Sequence, residues 1–142
     1  MLNFRESISK EEINTLPVLE YSDKKIVLVD TLNKLKSAVD VLKNEEVLGF
    51  DTETKPSFEK GKSNKVALLQ FSTADTCYLI RLNVLGMQNS IIELLSSERP
   101  LKVGLSLKDD YKMLNRRRSF RPAGFLDIQS VIGKFGIKDM SL

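Results

Sequence analysis

The chain has 142 residues, 42% hydrophobic and 29% charged, with 22 Lys and Arg against 19 Asp and Glu for a net charge of +3. That size fits one domain with its own core, leaves no room for a second, and offers no apolar stretch approaching the roughly 20 residues of a membrane span. The absence of histidine excludes Ser-His and Cys-His nucleophile activation and the common His-containing zinc sites, and the single cysteine excludes an internal disulfide.

Met1 to Lys10 carries charges with no apolar h-region behind it, so no secretory leader is expected and the protein is read as cytoplasmic. Residues 1–24 form a polar arm, and Lys25 to Asp30 a short apolar strand. Asp30 or Thr31 then caps a helix running to about Asn44, on which Leu32, Leu35, Val39 and Leu42 recur at helical spacing while Lys34, Lys36 and Asp40 turn outward. Val47 to Glu53, Lys65 to Ser72 and Thr76 to Leu82 are strands, the last two joined by the turn Ser72-Thr73-Ala74-Asp75, and such short links predict an antiparallel meander. Cys77, within the third, reads as an ordinary buried thiol. Ser90 to Ser97 is a helix, Leu101 to Leu105 a strand, Leu107 to about Arg117 a helix, and Asp127 to Phe135 a final helix capped by Asp127. The run Arg116-Arg117-Arg118, with Lys112 and Arg121, is read as decorating a helix C-terminus, where cations suit the dipole, ahead of a nucleic-acid patch. Three sequential strands followed by helix, strand and helix predict an α/β, ribonuclease H-like mixed sheet, an antiparallel meander extended by a parallel strand and flanked by helices.

The chemistry gathers where Leu48-Gly49-Phe50 delivers Asp51-Thr52-Glu53. In a strand, residues i and i+2 share a face, so Asp51 and Glu53 project together as hard oxygen ligands suited to Mg²⁺ or Mn²⁺. A third acid follows from phase. Leu107, Tyr111 and Leu114 make the apolar stripe of the later helix, and Asp110 falls three after the first and four before the last, which turns it inward. Asp109 lies about 100° around and leans to solvent or the helix N-terminus. An aspartate on a packing face needs a partner, and a metal or cation supplies one.

These residues resemble the DEDD superfamily of 3′-5′ exonucleases, in the branch of ribonuclease D and the Werner syndrome exonuclease domain. Phe50-Asp51-Thr52-Glu53 looks like the first motif, and Gly104-x-Ser106-x-Lys108-x-Asp110 with Leu114 looks like the second. Pro56, Gly61, Lys62, Lys65-Val66-Ala67-Leu68 and Gln70 stand at matching offsets between them, so that the likeness covers about residues 25–142 as a partial exonuclease domain. The resemblance implies hydrolysis from DNA or RNA 3′ ends with two metal ions, Asp51 bridging both, Glu53 on the ion that activates water and Asp110 completing the cluster. Thr52, Thr54, Lys60, Lys62 and Lys65 are the candidate nucleic-acid contacts, the lysines as a phosphate-contacting rim or else a solvated loop.

One departure stands against the family. Its third motif supplies a fourth carboxylate with a tyrosine or histidine nearby, and the only lookalike, Phe135-Gly136-Ile137-Lys138-Asp139, lacks the phenol. The sequence ends at Asp139-Met140-Ser141-Leu142, where Asp139 or Ser141 has the character of a helix N-cap without its helix. The reading is therefore a domain whose C-terminal part is missing, weak or inactive alone, and prone to homo-oligomerise through the surface so exposed. Three other classes compete. A haloacid-dehalogenase-like phosphatase wants Asp-x-Asp where this chain has Asp51-x-Glu53, and fits the early meander poorly. A non-catalytic nucleic-acid-binding module would keep the fold with an incomplete site. A purely structural interaction domain ranks third.

Overall fold

The computed structural model describes residues 4–18, 23–55 and 64–139. Among them the strands are β1 (Lys25–Val29), β2 (Val47–Thr54), β3 (Val66–Ser72), β4 (Thr76–Arg81), β5 (Leu101–Gly104) and β6 (Phe125–Asp127). The α-helices are α1 (Lys10–Thr15), α2 (Leu32–Leu42), α3 (Leu82–Leu85), α4 (Asn89–Leu95) and α5 (Leu107–Asn115). The strands form one sheet in the order β1-β4-β3-β2-β5-β6. The meander β2-β3-β4 is antiparallel, while β1 joins β4, β5 joins β2 and β6 joins β5 in parallel.

Cross-strand partners share a face, and the pairing separates the sheet into two unlike sides. On one, Val29, Ile80, Leu69, Phe71, Leu48 and Phe50 meet Leu35, Ala38 and Leu42 of α2, Ile91, Leu94 and Leu95 of α4, and Leu107 and Leu114 of α5 in a single core. Each such side chain contributes about 1.5–3 kcal/mol when fully buried. The other side carries Ile26, Leu28, Cys77, Leu79, Ser72, Gln70, Gly49, Asp51 and Val103, all half-buried or exposed. Cys77 is accordingly half-buried on this open face and not a core thiol.

The predicted elements from Lys25 to Asn115 are present to within a few residues, with Thr31 as the cap of α2 through a bond accepted from the Lys34 amide. Four details differ. The polar arm contains α1, which closes with a capping box between Ser9 and Glu12. The arm is also held at the far end of the chain: the Lys138 amide donates to the Glu6 carbonyl at 2.8 Å, and Phe4 meets Phe135 edge to face at 5.6 Å. Leu82, predicted as the end of a strand, opens α3. The expected final α-helix, Asp127 to Phe135, is instead two short 3-10 helices, Ile128–Ser130 and Ile132–Phe135, and an unpredicted strand, β6, precedes them. Phe125 holds β6 in place, because its ring meets both Phe50 and Tyr111 at centroid distances of 5.0 and 4.9 Å, and extended pairing with β5 is what puts it there.

Two sets of basic side chains are structural. Lys102, on β5, is fully buried; its ammonium donates to the carbonyls of Leu94 at 3.0 Å and Ser97 at 2.6 Å and stands 5.0 Å from the Phe125 ring centroid. Leaving water lowers its pKa to about 8, with Glu98 opposing the shift. Arg117 reaches the Leu82 carbonyl and Asn83, and Arg118 reaches the Met87 carbonyl at 2.8 Å and Asn89 at 2.7 Å. These two arginines tie the end of α5 to α3 and α4.

Candidate active site

The site forms where β5 stops short. Its pairing with β2 runs from Val47↔Leu101 to Gly49↔Val103, and the chain then leaves the sheet into α5. Asp51 to Thr54 keep β3 on one side, and among the described residues no strand pairs with them on the other. The ladder between β2 and β3 also shifts register between Glu53 and Thr54, a bulge immediately after the second acid. The last half of β2 is thus an open strand edge at which side chains from both faces can meet.

Two elements deliver groups to that edge. Asp51 and Glu53 are exposed on one side of β2, as alternation requires, and half-buried Thr52 points to the other. From α5, half-buried Asp110 turns inward and Asp109 stays exposed, in keeping with the buried positions of Leu107 and Leu114. The Thr52 hydroxyl donates to Oδ1 of Asp110. Burial is the largest influence on Asp110 and raises its pKa; the Thr52 bond opposes this, and the charges of Asp51 and then Asp109 raise it further. The charge of Asp51 thus reaches Asp110 around the strand edge, whereas Glu53 is not among the groups acting on Asp110.

The close approach of α5 depends on Gly104, where a Cβ would fall 2.6 Å from the Phe50 carbonyl oxygen and 2.4 Å from Cδ2 of Leu107. Ser106 follows in the left-handed region at φ 58° and makes no side-chain cap for α5. The cap comes from β6. Asp127 Oδ1 accepts from the Ser106 amide at 3.0 Å and Oδ2 from the Leu107 amide at 2.9 Å, while Oδ1 also accepts from the Gln129 amide at 3.0 Å. Tyr111, between Asp110 and the Phe125 ring, is pushed up to about 12, first by burial and then by the charges of Asp127 and Asp110. Sequence reasoning had Asp127 as a cap for its own turn and missed its bonds to α5, since nothing local marks a pairing of residues 20 apart.

The predicted nucleic-acid contacts fare unequally. Lys60 and Lys62 lie outside the described residues, as do Pro56 and Gly61. Lys65 is exposed just ahead of β3, Thr54 is half-buried at the bulge, and the Thr52 hydroxyl is committed to Asp110.

The donor set suits a hard divalent cation: every candidate ligand is a carboxylate oxygen, and no described cation is paired with Asp51, Glu53 or Asp110. The like-charge pressure of Asp51 on Asp110 is what such an ion would relieve. The set is not drawn together into a finished cage, since among the described residues no three His, Cys, Asp or Glu side chains are grouped closely enough to hold one ion. No helix among the described residues is long and apolar enough to cross a membrane.

Comparison with known proteins places the chain. No curated protein sequence matches it significantly. Among solved structures, the Aedes aegypti Nibbler EXO domain superposes with a TM-score of 0.68 at 22% identity, over 77% of this chain and 55% of that one. Trypanosoma brucei RNase D in complex with RNA U12 gives 0.69 at 22% identity, over 79% and 40%. The EXD2 exonuclease domain, solved also after soaking with Mg or Mn and GMP, gives 0.66 at 24%, over 78% and 60%. These likenesses establish the ribonuclease H-like exonuclease fold, and the chain spans less than two thirds of the length of each. A family model described as 3′-5′ exonuclease matches residues 26–140, and with this fold the chain belongs to the 3′-5′ exonuclease domain family.

Proposed function

We propose that the site hydrolyses phosphodiester bonds at the 3′ end of a nucleic acid with two divalent metal ions. The observation that carries this is the hydroxyl of Thr52, set between Asp51 and Glu53 on the open edge of β2, bonding the Asp110 carboxylate of α5. Asp51 would bridge the two ions, Glu53 would hold the one beside the attacking water, and Asp110 would complete the set. When bound, such ions would supply the ionisation of water and the stabilisation of the leaving oxygen. The EXD2 domains soaked with Mg or Mn support the choice of Mg²⁺ or Mn²⁺, and the RNase D complex with RNA supports a nucleic-acid substrate.

The chain's own residues have three tasks in this reading. Asp110 must be ionised to bind a cation, and its raised pKa makes proton and metal competitors, so metal affinity falls as pH drops toward the carboxylate range. The open edge of β2 admits a strand end beside the acids. Lys65, together with Lys60 and Lys62, supplies a basic approach to the phosphates, so substituting the three weakens nucleic-acid binding and leaves metal dependence intact.

Three carboxylates without the fourth of the family should turn over slowly or not at all by themselves. The test is Mn²⁺-dependent shortening of an oligonucleotide labelled at its 5′ end by these 142 residues and by their Asp51→Ala variant. Slow shortening that Asp51→Ala abolishes is expected. No shortening, with oligonucleotide binding retained, would favour a binding module. The open face around Ile26, Leu28 and Leu79 is expected to drive self-association of the 142-residue chain, which sedimentation velocity would detect.

A further inference from the structure

We propose that Asp127 is a positioning residue for the metal site, setting where Asp110 stands by clamping the first turn of α5 from the neighbouring strand. The inference rests on the proposed metal site and extends it to a residue that touches neither metal nor substrate.

Helix α5 begins badly by local criteria. Its first amides need acceptors, yet the residue at its N-cap, Ser106, has left-handed backbone and makes no side-chain bond to the helix. Asp127 meets the need from β6, with one carboxylate oxygen on the Ser106 amide and the other on the Leu107 amide. A carboxylate at this position also opposes the positive end of the helix dipole. β6 itself is fixed by parallel pairing with β5, Gly104 opposite Asp127, so the clamp refers α5 to the sheet that carries Asp51 and Glu53. Asp110 lies three residues beyond Leu107, within the turn so held. Its bond from Thr52 and its nearness to Asp51 exist only while that turn keeps its place.

The alternative is that Asp127 merely adds stability, as any cap does. Asparagine separates the two roles. It has one acceptor oxygen, so whichever way it turns, its amide group faces one of the helix amides donor to donor, and the bidentate grip is lost with little change in volume. Partners bonded directly to a ligating side chain, as Thr52 is to Asp110, change metal affinity by about 10–100-fold when removed, and Asp127, acting through the helix backbone, is set at the lower end of that range.

The experiment compares Mn²⁺ affinity, by calorimetry, in the wild-type 142-residue chain, Asp127→Asn, Asp110→Asn and Leu42→Ala, a core substitution in α2 remote from the site. Hydrogen exchange of the amides of residues 109–112 is followed in the metal-free proteins. The expected result is at least about tenfold weaker Mn²⁺ binding in Asp127→Asn and faster exchange in that turn, with wild-type affinity in Leu42→Ala. Wild-type affinity and unchanged exchange in Asp127→Asn would overturn the proposal, as would an equal loss of affinity in Leu42→Ala. If Mn²⁺ binding is unaffected by Asp110→Asn, the metal reading fails on its own account, and the exchange of residues 109–112 decides whether the clamp exists.

Discussion

Lys102→Met is the most informative substitution outside the site, because it removes a charge that the fold holds at a cost while keeping most of the side-chain volume. In the folded chain the ammonium is fully buried with a pKa near about 8, against an ordinary value of 10.5 when unfolded. A base whose pKa falls on folding is destabilising while charged. Between these two values the unfolded chain retains a proton that the folded chain has released, so wild-type stability rises with pH across the window. Integrating the two titrations from about pH 7 to about pH 9.5 gives a gain of about 2 kcal/mol for wild type and none for methionine. Near neutral pH the two effects of the substitution oppose each other. It relieves the buried charge, and it strips the Leu94 and Ser97 carbonyls of their donor, at about 1–3 kcal/mol for each buried group left unsatisfied. Urea unfolding followed by far-ultraviolet circular dichroism at the two pH values measures the difference between the proteins, which cancels the other alkaline titrations. The stability gap should move by about 2 kcal/mol in favour of wild type on going to the higher pH. Parallel pH profiles for the two proteins would refute the reasoning.

Asp110→Asn should stabilise the metal-free fold at neutral pH while destroying metal binding, because a carboxylate with a raised folded pKa loses stability as pH climbs from its ordinary value through that raised one. Thermal unfolding of the metal-free pair checks this, and a destabilised variant would contradict it. Gly104→Ala should cost about 1–3 kcal/mol, since the new methyl drives against the Phe50 carbonyl and Leu107, and a denaturant midpoint equal to wild type would remove the tight approach of α5 from the argument. Arg118→Ala should lower stability, because the Met87 carbonyl and Asn89 lose their partner, yet leave oligonucleotide affinity unchanged in fluorescence anisotropy. A drop in affinity with intact stability would restore the arginine run as a nucleic-acid patch.

What could be read from the sequence was whatever repeats within one element. The alternation that puts Asp51 and Glu53 on one side of β2, and the phase that turns Asp110 in and Asp109 out, are properties of single strands and helices. The β3–β4 hairpin of the meander was legible from its short turn, residues 73–75. Features made by residues far apart were not. Thr52 reads as a surface residue between two acids until β5 is seen to end early and α5 to close on the strand edge. Lys102 looks solvent-facing in a strand of four residues, and only the position of α4 reveals that its ammonium is enclosed. β6, three residues long, carries too little pattern to announce itself, and α1 had a readable capping box at Ser9 and Glu12 that a polar setting obscured.

The clamp between β6 and α5 gives the site a place in time as well as in space. Helix α5 precedes β6 in the chain, so during synthesis the segment bearing Asp110 emerges before Asp127, the residue that holds its first turn. Until Phe125 to Asp127 dock beside β5, the nascent helix has a left-handed entry and no acceptor for its leading amides. The acids on β2 are by then long since made, but they face a helix end still fraying in water. In a nascent chain of this protein, therefore, Asp110 can take its place at the edge of β2 only after β6 has been made and has docked on β5.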